Sequence, residues 1–331
     1  MAVTRLGEEP VPPRKSRSND DFAAQFERLQ TNIEQVIQGK AEQIRLALVC
    51  LFAEGHLLIE DVPGVGKTSL AKSIARTIDC TWRRIQFTPD LLPTDVTGVS
   101  VFDQEHGDFE FRQGAVFANI VLGDEVNRAS PKTQSALLEA MEEGQVTVDG
   151  VTHVLPEPFI VMATQNPIEH EGTYPLPAAQ LDRFLMRLSI GYPNAQSEVE
   201  VLHRHGKHSV LEEIEPVTDA RAILGMIEAA RQVHVAETLN AYIVELIAST
   251  RKTSELSLGA SPRASLALLR ASRAYAASEG RDYVIPDDVK ALASAVIAHR
   301  LIVSPEADMS GRSGADVVDD LLEQVSIPIR G

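Results

Sequence analysis

Sulfur, aromatic rings and positive charge are all scarce in this chain. Two cysteines, Cys50 and Cys80, stand in 331 residues, too few for a disulfide framework and without the spacing of a metal site, so both read as reduced core thiols. One tryptophan and an aromatic content of 5% leave little material for the stacking platforms that bind single-stranded nucleic acid. Lys and Arg total 31 against 47 Asp and Glu, a formal charge of −16, which opposes non-specific attraction to a phosphate backbone. No specific nucleic-acid partner is expected. No apolar run approaches the roughly 20 residues needed to cross a bilayer, so no direct membrane insertion is expected. The opening MAVTRLGEEPVPPRKSRSND is rich in Pro, Arg and Ser and lacks a continuous apolar region. It reads as a disordered tail over 1–20, with a cytoplasmic location as the expectation.

What remains is enough apolar material, 44%, to bury a core, and a length that suits two packed units. From 21 to 54 the apolar residues Phe22, Phe26, Leu29, Ile33, Val36 and Ile37 recur at helical spacing. Five strand candidates then alternate with helical stretches: HLLIE (56–60), WRRIQF (82–87), NIVLGD (119–124), FIVMAT (159–164) and FLMRLSI (184–190). That alternation predicts an α/β unit over 21–193, a parallel sheet covered on both faces. Beyond Gly191 and Pro193 only helices are read, over 218–231, 237–252, 261–280 and 286–300, giving an all-α unit over 194–331.

The stretch DVPGVGKTS (61–69) leaves the first strand and enters a helix, the setting of a phosphate-binding loop. Its candidates are Pro63, Gly64, Val65, Gly66, Lys67, Thr68 and Ser69. Gly64 and Gly66 let backbone N–H groups turn toward phosphate oxygens, Lys67 adds a positive charge, and the Thr68 hydroxyl can ligate Mg²⁺. Asp61 stands where the usual pattern G-x-x-x-x-G-K-[ST] begins with glycine. A second stretch, NIVLGDEVNR (119–128), ends a strand in two acids: Asp124 to hold Mg²⁺ and Glu125 to polarise the attacking water. The pair favours hydrolysis, and the lack of an NKxD guanine reader points to ATP. Asn166, at the end of FIVMATQNP, can orient that water, or simply make an Asn-Pro turn. Arg183 can reach the nucleotide of a neighbouring subunit, or form a surface ion pair. Arg128 follows the acidic pair closely enough to contact a neighbouring subunit, or it forms a local salt bridge.

Two hairpins complete the pattern. VTGVSVFDQEHGDFEFRQG (96–114) alternates about an EHGD turn, and GQVTVDGVTHVL (144–155) places Asp149-Gly150 between alternating strands. They either project for a purpose or only extend the sheet. The helix between them has Ser130 to cap it, Pro131 in its first turn and Gly144 at its end. HRHGKH (203–208) lacks the Cys or acid that would complete a zinc spacing and reads as a solvated helix end.

IEDVPGVGKTSLA, DEVNRASPKTQSALLEAMEEGQVTV, VMATQNPIEHEGTYPLPAAQLDRF and GASPRASLALLRASRAYAASEGRDYVIPDDV resemble, in this order over about residues 30–300, the MoxR family of AAA+ ATPases. The resemblance implies an AAA+ P-loop core with a five-stranded parallel sheet and β-hairpin insertions, followed by an all-α lid. It implies assembly into rings, hexameric by expectation, and chaperone-like remodelling or maturation of protein clients. It also implies partners with von Willebrand factor A domains. By resemblance Asn166 is the sensor-1 residue, Arg183 the arginine finger acting in trans, and Arg263 the sensor-2 arginine, with the hairpins facing the ring pore. Gly123 stands where alanine is usual, and Ala178 replaces an acid in PLPEAQ, which puts one contact at the subunit boundary in doubt. Two alternatives share these motifs: a nucleic-acid-stimulated AAA+ motor, disfavoured by acidic hairpin tips, and a magnesium-chelatase-like ATPase subunit, whose wording is less close. A non-hydrolysing, nucleotide-gated scaffold is the third.

Overall fold

The computed structural model describes residues 17–62, 64–166, 173–192, 198–199 and 210–327. The helical pattern over 21–54 forms two helices, α1 (Arg17–Glu34) and α2 (Ala41–Phe52). They part where Gly39 adopts a φ of 69°, a conformation that glycine enters at no steric cost. Helix α1 begins within the segment expected as a tail. Residues 1–16, the expected domain boundary near 193 and HRHGKH all lie outside the described residues.

Strands then alternate with helices: β1 (Leu57–Glu60), α3 (Lys67–Thr77), β2 (Trp82–Gln86), α4 (Pro93–Thr97), the hairpin β3 (Gly98–Asp103) and β4 (Asp108–Gln113), β5 (Ile120–Asp124), α5 (Pro131–Glu143), the hairpin β6 (Gln145–Val148) and β7 (Val151–Val154), β8 (Ile160–Gln165), α6 (Ala178–Leu181) and β9 (Met186–Leu188). The five expected strands form one sheet in the order β2-β5-β8-β1-β9, every pairing parallel.

Side chains on these strands alternate between two cores. Leu57, Ile59, Ile120, Leu122, Ile160 and Met162 face α1, α2 and α3, whereas Leu58, Val121, Val161 and Ala163 face Leu137, Leu138 and Met141 of α5. Burial on both faces is why the strands read as continuous apolar runs rather than as alternating ones. Because all five strands run the same way, their ends define two edges. Asp61, Glu125, Asn166 and Ser189 follow strands on one edge, and His56 and Leu185 precede strands on the other.

The C-terminal unit contains α7 (Val210–Glu213), α8 (Ala220–Arg231), α9 (Glu237–Ser249), α10 (Pro262–Ser278), α11 (Pro286–Ile297), α12 (Pro305–Met309) and α13 (Gly314–Gln324). One correction to the all-α expectation is needed. Two short strands, β10 (Leu256–Leu258) and β11 (Ile302–Val303), pair antiparallel among the helices. At two and three residues they are too short to show a period of two. Ile223, Leu246, Leu268 and Val289 of this unit join the same core as one face of the sheet.

His56 fixes the second edge. Its Nε2–H donates to the Met141 carbonyl at 2.9 Å, and its Nδ1 accepts the Val161 N–H at 3.0 Å, so one neutral ring joins the start of β1 to α5 and β8. Burial pushes its pKa down to about 4. Among the described residues no helix is long and apolar enough to cross a membrane.

Candidate functional site

The turn after β1 is built from left-handed backbone. Gly64 and Gly66 have φ of 86° and 96°, values that strain any side-chain-bearing residue. Gly66 caps α3, which leaves the free N–H groups of the first helical turn and the positive end of the helix dipole facing the loop. Lys67 is buried, and its Nζ donates to the Asp61 carbonyl at 2.8 Å. Val65 is buried, Thr68 and Ser69 are half-buried, and Pro63 lies outside the described residues.

The Asp61 side chain points away from that lysine. Its Oδ2 accepts the Ser189 hydroxyl at 3.0 Å and the Gly191 N–H at 2.6 Å, and its Oδ1 accepts the Val62 N–H at 2.9 Å. Burial would raise its pKa, but these bonds outweigh burial and hold the carboxyl below the usual aspartate range. The acid that replaces the usual glycine therefore ties the loop to the end of β9.

On the same edge, Asp124 closes β5. Its Oδ1 accepts the Thr164 hydroxyl at 2.6 Å, and its Oδ2 accepts Arg84 Nε–H at 3.1 Å and Nη2–H at 2.6 Å. Glu125 has a left-handed φ of 57°, and its N–H donates to Thr164 Oγ1 at 2.9 Å. The Glu125 carboxylate accepts from Gln86 Nε2 at 2.9 Å and from Arg128 Nη1 at 3.0 Å. Arg128 thus makes the local ion pair that its spacing offers. Asn166 is buried at the adjacent strand end.

Arg84 and Gln86 were missed by sequence reasoning. Their signal is the polar alternation in WRRIQ, which places both on one face of β2, with Gln86 in register with Asp124.

The other two candidates lie on the far edge. Arg183 precedes β9 and Arg263 opens α10, and both donate to Glu142 in the last turn of α5: Arg183 Nη2 to Oε2 at 3.0 Å, and Arg263 Nη2 to Oε1 at 2.5 Å. With His56 and Arg270 they line a cavity of about 260 Å³. The residue before Arg183, Asp182, accepts from the Ser261 hydroxyl at 2.8 Å and from Arg300 Nε–H at 2.9 Å. Arg300 also donates to the Phe184 carbonyl at 2.7 Å. The backbone around Arg183 is thereby pinned to the helix that carries Arg263. The structure brings the loop, the acidic pair and Asn166 together, and it keeps Arg183 and Arg263 together at the opposite end of the strands.

The comparisons with known proteins identify the family. Residues 56–186 match the ATPase family associated with various cellular activities, and residues 248–321 match the AAA lid domain. The chaperone MoxR1 of Mycobacterium tuberculosis is 42% identical over 312 residues, covering 92% of this chain and 82% of that protein. This chain belongs to the MoxR family of AAA+ ATPases. The uncharacterized protein YeaC of Bacillus subtilis is 49% identical over 299 residues, 90% of this chain and 93% of its own. A crystal structure of a candidate ATPase from Cytophaga hutchinsonii superposes with a TM-score of 0.88 at 38% identity, covering 94% of this chain and 97% of that one. In this MoxR-family chain the far-edge carboxylate, Glu142, is a further residue that sequence reasoning missed. AMEEGQV carries adjacent acids, and only the fold shows which of them meets the arginines.

Proposed function

We propose that this MoxR-type ATPase hydrolyses ATP with Mg²⁺ at sites shared between neighbouring subunits of a ring, hexameric by family resemblance. The observation that supports a shared site is the separation of its parts. Arg183 and Arg263 stand at the strand end opposite their own phosphate loop, and strands of three to six residues put roughly 10–20 Å between the two edges. A guanidinium cannot cross that span, so the pair serves the loop of an adjacent copy.

In this reading Lys67 and the amides from Gly64 to Ser69 hold the phosphates, Glu125 accepts a proton from the attacking water, and Asn166 orients that water. Arg183 and Arg263 stabilise the charge that develops on the transferred phosphoryl group. Thr68 and Asp124 offer the hard oxygen donors that Mg²⁺ takes. Phosphate oxygens and water would complete the shell of such an ion. When bound, Mg²⁺ would neutralise phosphate charge. The Asp124 Oδ2 bonded to Arg84 would have to be shared or released as it enters.

The work done with ATP is chaperone-like remodelling of protein clients in the cytoplasm, with von Willebrand factor A domain proteins as partners by family resemblance. Hairpin β3–β4 supports a protein client over a nucleic acid. Phe102 and Phe109 meet edge-to-face at 5.3 Å, both exposed, beside Asp103 and Asp108, and acids repel phosphates. Turnover measured against protein concentration, with oligomer mass followed by light scattering, tests the reading. Specific activity should rise as rings form, and Glu125→Gln should bind ATP without turning it over. Flat activity from a monomer would refute the shared site.

A further inference from the structure

Glu142 is placed where its own helix does not favour it. It lies in the last turn of α5, at the negative end of the helix dipole, where an acid is disfavoured and a cation is preferred. What offsets that position is the pair of guanidiniums it receives, one on each carboxylate oxygen. Two like charges gathered this closely repel each other unless an opposite charge sits between them. A carboxylate bonded to both arginines also sets their separation and direction. Asp182, Ser261 and Arg300 fix the backbones behind the two arginines, but among the described residues Glu142 is the carboxylate that holds both side-chain heads.

We propose that Glu142 is a positioning residue for Arg183 and Arg263. It presents them as one pre-arranged pair of guanidiniums to the adjacent subunit's γ-phosphate. The inference rests on the reading that the two arginines act in trans. Glu142 does not itself touch nucleotide, so its removal should lower the rate of the chemical step and leave ATP binding to the phosphate loop unchanged.

The test is single-turnover ATP hydrolysis by the full chain, which keeps slow variants measurable, with ATP affinity and oligomer mass recorded on the same samples. Glu142 is partly exposed, with 34% of its side chain accessible, and Glu142→Gln keeps its shape, so folding is retained. Glu142→Ala should slow hydrolysis about 10- to 100-fold with ATP affinity and ring mass unchanged, and Glu142→Gln should fall between it and the unaltered chain. In an Arg183→Ala, Arg263→Ala background, Glu142→Ala should add no further loss. Unchanged or faster hydrolysis in Glu142→Ala, while Arg183→Ala is slow, would overturn this inference alone. An undiminished Glu142→Ala loss in the double-arginine background would also overturn it. Full-rate hydrolysis by Arg183→Ala would instead refute the shared-site reading beneath it.

Discussion

Glu125 illustrates how much a single hydroxyl can do. Its left-handed backbone, φ 57°, is an uncommon conformation for a side-chain-bearing residue. Thr164 holds it there by accepting its N–H while donating to Asp124, so one buried side chain sets both acids. Thr164→Val keeps the shape and removes both bonds. The expected result is a stability loss of about 1–3 kcal/mol in a urea titration, together with slower turnover at saturating ATP. Wild-type turnover would show that the acids keep their places without Thr164. The acids themselves were legible in NIVLGDEVNR because they follow a buried strand in a chain that also carries a phosphate-loop pattern, whereas such a pair alone is common at strand ends. Thr164, Arg84 and Gln86 were not, since their part depends on which strands become neighbours.

At the scale of elements, the second edge of the sheet depends on a neutral imidazole. His56 bonds to α5 and to β8, and burial lowers its pKa from 6.5 to about 4. The unfolded chain therefore takes up a proton at this site near pH 6.5, and the folded chain does so only near pH 4. The stability this difference confers is whole above the higher value and falls as pH drops through the window, by on the order of 3 kcal/mol for this group. His299, also buried with a lowered pKa, adds in the same direction. Urea midpoints should fall between pH 6.5 and 4, with a shallower fall in His56→Gln. Equal slopes for the two proteins would contradict this assignment.

The five strands and both hairpins were readable because burial on two faces and the Asp149-Gly150 turn leave direct marks on the sequence. The ribbon of β10 and β11 leaves no such mark. Its few residues are positioned by the helices around them rather than by their own pattern.

Across the whole molecule, the two units that the order of strands and helices separates share a core. Apolar residues of α8 to α11 pack with one face of the sheet, and Arg300 and Ser261 grip Asp182 across the junction. The lid therefore carries Arg263 and steadies Arg183 in one block, away from the phosphate loop of the same chain. Neither fact was visible in LDRF or SPRA as short motifs, since both depend on how parallel strands divide a molecule into two edges.

Mixing two inactive proteins probes that division of the site between two edges. Arg183→Ala keeps the loop and acids, and Glu125→Gln keeps the arginines. ATP turnover should reappear when the two are combined in rings, well above the sum of the separate proteins, because some interfaces join an intact loop to an intact arginine pair. Rings that demonstrably contain both variants and remain as inactive as either alone would contradict the account.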